Sequence, residues 1–441
     1  MAWVAAAGFV LVGCTRFQEE DLFDESASQR IASFNEDLRS RLVEQSSNDN
    51  YGWVIQYFVA SEFEGFNLFG SFYDNGKVNI AGNHRFLRGG NAGKYTESLS
   101  FYQVLSEDGP VLSFNTWNDV LTVFVDPVDP SQAPSLLVSD GEGMHGDQNL
   151  VFQGYRGDTI LFSGERNSGR VRFVPCDRPW QDYIRDTESN KNYITNNAIT
   201  SYYVVCGTDT LYFKNLRNGL FTYCERVNDP LFPSTINCVF TPTGFYLQRR
   251  NSIAGTSFQE FTLSEDKTCL VSENDSVKVI PTWDNYIVGH TSVWELDAEL
   301  FTEQQQSLFD QIAAEMLTLN KLWVLKSIGM GRTTGKDPVN GLVLTYYNNS
   351  AKTKTNNAGL ELTLTKPQFG KMSIDCKEGS AVDNNLSVFT ARGTNVESLM
   401  REFAATFKGT YDLVPDDYFL PTSVQFTPTD GGTPFTLVNN N

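Results

Sequence analysis

Ile31, Phe34, Leu38 and Leu42 recur at helical spacing among polar residues and predict one amphipathic helix ending near Glu44. Ser26 and Gln29 have the spacing of a capping box at its start. From Tyr51 the rhythm changes to that of strands. Candidate strands run over Trp53–Val59, Asn67–Tyr73, Lys77–Ile80, Ser98–Leu105, Val111–Asn115, Leu121–Val125, Leu150–Gly154, Thr159–Ser163 and Arg170–Val174. Turn signals such as Asp74-Asn75-Gly76, Asp108-Gly109-Pro110 and Asn167-Ser168-Gly169 separate them. Connections this short force neighbouring strands to run antiparallel, so the segment predicts a meander that curls into a barrel or packs as a sandwich.

Asp182 to Asn197 is polar and reads as a connection between domains. A second β-rich segment follows, with candidate strands at Ser201–Val205, Thr210–Lys214, Phe221–Glu225, Asn237–Phe240, Gly244–Gln248, Glu260–Leu263 and Val277–Ile280. Beyond it the pattern is mixed. Thr302 with Gln305 opens a helix carrying Leu308, Phe309, Ile312, Met316 and Leu317, and Thr394 with Glu397 opens another, with Gly409 as its C-cap. Strands are expected near 342–347, 360–365, 371–375, 423–426 and 435–438. The expected fold is therefore mainly β: an antiparallel meander domain over 48–183, a second β-rich domain over 184–295 and an α+β domain over 296–441.

Ala2 to Gly13 is apolar and ends in a small residue before Cys14. That is the pattern of a lipoprotein signal (1–13), cut ahead of a thiol that takes lipid, with 14–47 as tether and helix. The stretch is too short to cross a bilayer, which needs about 20 apolar residues. The acidic run Glu19-Glu20-Asp21 after Cys14 resembles the surface-export signal of Bacteroidota lipoproteins.

Composition narrows the remaining choices. At 441 residues the chain is long enough for two or three cores. A formal charge of -19 repels phosphate backbones, which argues against nucleic acid as a partner. Beside Cys14 there are Cys176, Cys206, Cys224, Cys238, Cys269 and Cys376, with no CxxC pair. The clustering of Cys206, Cys224, Cys238 and Cys269 predicts at least one bridge among them.

Candidate chemistry is sparse. His84, His145 and His290 lie far apart and outside metal-ligand spacings, and no GxSxG elbow occurs. Gly329 to Lys336 imitates a phosphate loop, but Asp337 stands where Ser or Thr holds magnesium and Pro338 opposes the helix. An exposed glycine-rich hairpin loop is the expectation there. The loop from Asp126 to Asp147 is the better candidate: Asp126, Asp140, Glu142 and Asp147 are hard oxygen ligands suited to Ca2+. Among the tryptophans, Trp117 lies in a turn-like Asn-Thr-Trp-Asn stretch and is the candidate ligand-binding ring. No catalytic residue stands out.

Several stretches resemble the Bacteroidota lipoprotein family known as domain of unknown function 4302. They are Phe23-Asp24-Glu25-Ser26-Ala27-Ser28-Gln29-Arg30-Ile31 behind the lipidation signal, Tyr51-Gly52-Trp53, and Gly109-Pro110-Val111-Leu112-Ser113-Phe114-Asn115-Thr116-Trp117-Asn118. Gly143 with Gly146-Asp147, Gly244-Phe245-Tyr246 and Phe258-Gln259-Glu260-Phe261 complete the likeness. The resemblance implies a lipid-anchored protein of the outer membrane, exposed at the cell surface. It also implies a partner importer of the SusC/SusD type, TonB-dependent, and a peptide or glycan ligand. It carries no catalytic residue with it, and leaves a hydrolase or a purely structural subunit as the alternatives.

Overall fold

A computed structural model describes residues 27–439, apart from 48–49, 62, 108, 127–143, 168, 197–198, 200, 218–219, 225–233, 285–286 and 288–292; of 27–28, 215–217, 220–224 and 234 it describes the backbone. The alternation of apolar and polar positions resolves into three antiparallel units in chain order. The first uses Trp53–Phe58 (β1), Phe66–Phe72 (β2), Lys77–Gly82 (β3), Thr96–Phe101 (β4), Gln103–Ser106 (β5), Pro110–Ser113 (β6), Asn149–Arg156 (β7), Thr159–Gly164 (β8) and Arg170–Pro175 (β9). Their order is β4-β3-β2-β1-β9-β8-β7-β6-β5, so the first strand pairs with both the second and the last. The edge strands β4 and β5 are separated by Tyr102 alone, which is buried. The sheet is thus curled until its two edges meet at one bent stretch, which the sequence reads as the single strand Ser98–Leu105.

The second unit is a closed barrel of eight strands between Ser201 and Pro281, in which Ser201–Cys206 pairs with Lys278–Pro281. The third unit repeats the first. Its nine strands between Trp294 and Val438 follow the same order, with Trp294–Leu296 flanked by Val324–Arg332 and Phe435–Val438. Its edge strands Thr355–Glu361 and Thr363–Thr365 are again separated by one buried residue, Leu362.

Inward positions fill these units with side chains. Ile160, Phe162, Val171 and Phe173 face the first core together with Trp53, Ile55 and Tyr57. Helix α1 (Ala27–Glu44) adds Leu38 and Leu42 to that core, and its end is tied down by Trp53 Nε1 donating to the Leu42 carbonyl at 3.1 Å. Burial of such a leucine contributes about 1.5–3 kcal/mol. Phe34, expected on the same stripe, is exposed. Ser26, the expected cap, lies outside the described residues.

Several expectations are corrected. The connecting stretch Asp182–Asn197 is not irregular: Trp180–Ile194 forms a helix (α2) between the first unit and the barrel, lying on the outer face of the first unit. Its buried positions are Tyr183, Thr187, Asn190 and Ile194, and the two polar ones hide the stripe from a hydrophobicity reading. Asn190 Nδ2 donates to the carbonyls of Thr241 and Gly244, which joins α2 to the barrel. The strand expected at Leu121–Val125 is a short 3-10 turn over Thr122–Phe124. The fully buried Asn118 makes it so, its Oδ1 accepting from the amides of Val120 and Leu121 and its Nδ2 donating to Ser98 O and Ser100 Oγ. Of the stretch expected as an exposed hairpin loop, 334–336 is one, between the antiparallel strands Val324–Arg332 and Asn340–Tyr347, but Gly329, Met330 and Gly331 are buried in the first of these strands, where a Cβ at Gly329 would lie 2.2 Å from the Trp294 carbonyl.

The capping box of Thr302 and Gln305 forms with both hydrogen bonds. That of Thr394 and Glu397 does not: Asn395 precedes the helix Val396–Ala405, and Glu397 instead accepts from Thr390 and Arg401. Gly409 opens the strand Gly409–Pro415 and caps nothing. Cys206, Cys238 and Cys269 are free thiols, Cys238 in the barrel core, Cys206 packed partly buried against it and Cys269 buried outside it; the side chain of Cys224 is not among those described.

Replacing Asn118 strands two buried amides and two acceptors. Asn118→Ala is expected to lower unfolding free energy by about 2–3 kcal/mol, read as a lower urea midpoint at unchanged slope. A shift below about 0.5 kcal/mol, the size usual at plain surface sites, contradicts this role for Asn118.

Candidate functional site

The turn organised by Asn118 presents Trp117, whose ring is about half exposed (52%). Its Nε1 donates to Asp119 Oδ1 at 2.7 Å, and the Arg88 guanidinium carbon lies 5.7 Å from the ring centroid. Arg88 in turn binds Asp126 Oδ2 at 2.7 Å. Two candidates from separate expected sites, the ring of Trp117 and the carboxylate of Asp126, therefore meet through one arginine. Asp147 is engaged by other groups. It is buried, and its carboxylate accepts from the amides of Arg166 and Asn167, bracketing the turn between β8 and β9. Its own amide donates to the Tyr57 hydroxyl at 2.6 Å, and burial pushes that phenol well above the usual tyrosine range. Asp140, Glu142, His290 and Cys14 lie outside the described residues. Among the described residues no three His, Cys, Asp or Glu side chains gather at metal-binding distance.

His84 is a core residue. Nε2 donates to the Val120 carbonyl at 3.0 Å, and the rings of Phe66, Phe86 and Phe124 surround it. Burial pushes its pKa down from 6.5 to about 4. His145 sits exposed at φ 57.

A more open arrangement of aromatics forms where α2 begins. Gly52 adopts φ +68, and a Cβ there would lie 2.4 Å from the Gly70 carbonyl, so the chain hugs β2 and turns Tyr51 outward. Trp180, in the first turn of α2, stacks on Phe69 at 5.8 Å and donates Nε1 to the Tyr51 carbonyl at 2.6 Å. Tyr95, held by its hydroxyl to Glu97 at 2.6 Å, closes the other side. Together with Asn50, Ser71 and Gln181 these rings line a shallow cleft of about 380 Å³. Asp182 adds a carboxylate, itself paired with Arg185 at 2.6 Å. Flat rings beside amide, hydroxyl and carboxylate groups suit the faces and hydroxyls of a sugar or the side chains of a peptide. Trp180 is among the tryptophans visible from sequence; Tyr95 and Ser71 are not, because only the helical start of α2 brings positions 51, 71, 95 and 180 together. Trp53, Trp283 and Trp294 are buried.

Residues 19–265, more than half of the chain, match the family described as a domain of unknown function (DUF4302). The chain belongs to this family. The DUF4302 match takes in the curled first unit, the Trp117 turn and the aromatic cleft, and ends within the barrel. No curated protein matches the chain. Among solved structures, the chain is similar to the DNA polymerase III beta chain of Streptococcus pneumoniae, with 8% identity, 93% of this chain and 97% of that chain covered, and a TM-score of 0.13. The subunit beta from Pseudomonas aeruginosa (8% identity) and the beta sliding clamp of C. crescentus (12% identity) give the same coverage and TM-score. At that TM-score the likeness carries no argument.

The burial of His84 generates a pH dependence with a definite sign. Below about pH 6.5 the unfolded chain takes up a proton that the folded chain refuses until about pH 4, so stability is full above that window and falls as the pH drops through it. In urea unfolding at pH 7.5 and pH 5, wild type is expected to lose about 2 kcal/mol more than His84→Gln. Equal losses in the two proteins contradict a neutral buried imidazole.

Proposed function

We propose that this DUF4302 protein is a lipid-anchored cell-surface lipoprotein of the outer membrane, serving as an accessory, ligand-binding component of a SusC/SusD-like TonB-dependent nutrient importer. The observation that carries the reading is the apolar stretch Ala2–Gly13 ending at Cys14 ahead of the family-matched body. No described helix is long and apolar enough to cross a membrane. In this reading attachment falls to acyl chains on Cys14, each buried methylene adding about 0.8 kcal/mol of membrane affinity. The aromatic cleft of Tyr51, Tyr95 and Trp180 supports a ligand role for the body, with a peptide or glycan as the ligand.

The anchor is tested in cells grown with an alkyne-tagged fatty acid. Wild type is expected to take up the label and Cys14→Ser to lose it, while protease added to intact cells degrades the body. An unlabelled wild type, or a body shielded from protease, overturns the placement. Copurification with an importer is the expected result for the accessory role. Turnover of peptides or glycans by the purified protein replaces that role with a hydrolase.

A further inference from the structure

The outer face of the first unit carries a cluster that neither the anchor nor the aromatic cleft uses. Arg172 on β9 stands opposite Leu161 on β8 and Gln56 on β1, and Arg170 stands opposite Ser163 and Phe58. Side chains alternate along a strand, so both arginines point away from the core that their neighbours Val171 and Phe173 fill. Arg156, at the end of β7, lines the same groove. The closed barrel supplies the opposite wall with Tyr246, Gln248 and Gln259. The groove encloses about 320 Å³, within the range of about 300–1,000 Å³ usual for small-molecule sites.

Three guanidinium groups in one groove repel each other, yet among the described residues a single carboxylate answers them: Glu260 Oε2, 3.6 Å from Arg172 Nη1. Arg172 lies over the Tyr246 ring, 3.7 Å from guanidinium carbon to centroid, and its Nε is buried with no hydrogen-bond partner among the described residues. Arg170 donates to the Gln248 carbonyl at 3.4 Å and remains exposed. The amides are held in place by the protein: Gln153 donates to Ser163 Oγ at 2.9 Å and Gln259 to the Leu247 carbonyl at 3.1 Å. A fixed set of forked cations and amides recognises a carboxylate flanked by hydroxyl groups.

Two competing ligand classes fit the groove less well. A peptide added as a strand needs an unpaired edge, and β8 and β9 on the groove floor are each paired on both sides. A polyanion such as nucleic acid meets the field of a chain with net charge -19, whereas a small anion enters a local positive site. We propose that the groove between the first unit and the barrel binds an acidic sugar, a uronic acid unit, through Arg156, Arg170 and Arg172. The proposal stands apart from the membrane anchor and is decided on purified protein.

The test is calorimetric titration of the full chain in detergent with trigalacturonic acid, neutral galactotriose, trialanine and inorganic phosphate. Trigalacturonic acid is expected to bind at least tenfold more tightly than each of the others, and to weaken as salt is raised. Arg156→Gln and Arg170→Gln, exposed and outside the cores, are expected to lose tenfold or more in affinity while their thermal midpoints stay within about 2 °C of wild type. Arg172→Lys is expected to lose affinity as well, since a point charge replaces the fork. Equal binding of galactotriose, trialanine or phosphate overturns the acidic-sugar assignment, and unchanged affinity in both glutamine variants overturns the site.

Discussion

Everything in this chain depends on antiparallel meanders that return to their own first strand. A row of unpaired amides and carbonyls at a sheet edge is exposed to any other strand, and closure removes that exposure. The barrel closes outright by pairing its first strand with its last. The first and third units reach the same end with one strand bent in two, at Tyr102 and at Leu362, so that one half pairs backward and the other forward. Both hinge residues are buried, which anchors the bend to the core it surrounds. The units share their strand order, and in each the last strand sits at the centre of the nine with the first strand beside it.

Closure also divides the molecule between packing and recognition. Inward positions are taken by aromatic and branched side chains, as Phe162, Val171 and Phe173 illustrate, and leave chemistry to the outer faces and the seams between units. The helix α2 is the hinge pin of that arrangement. Its Tyr183 packs on Phe69, its Asn190 holds two barrel carbonyls, and its first turn builds the aromatic cleft with Trp180. One wall of the arginine groove is barrel and the other is sheet, so the same docking that buries Phe58 against Tyr246 creates it.

What the sequence disclosed follows from this division. Alternation and turn residues mark most strands of the first two units, because each has a buried face and a short connection. Lys371–Asp375 and Phe435–Val438 are legible to the residue. Failures occur where side-chain hydrogen bonds replace apolar periodicity. Asn118 turns an apolar run into a 3-10 turn, and Thr187 and Asn190 make a buried helix face read as polar. Gly329 and Gly331 read as a loop because glycine signals flexibility locally, whereas at Gly329 it lets two strands approach. The short strand Leu270–Ser272 is invisible for another reason: three residues are too few for a period.

The candidate sites were harder still, and for a geometric reason. Trp117 was legible as a ring in a turn, but its partner Arg88 is supplied by a segment 29 residues earlier and signals nothing by itself. The arginines of the groove look in sequence like ordinary solvated charges on strand faces. Their meaning comes from parity and docking together: Arg170 and Arg172 share a face because they are two apart, and that face is walled because the barrel presses Tyr246 against it. An acidic chain that places three cations at one such seam concentrates positive field where a small ligand has two walls to touch. That is a stronger constraint on ligand charge than overall composition, which reports only what the molecule repels at a distance.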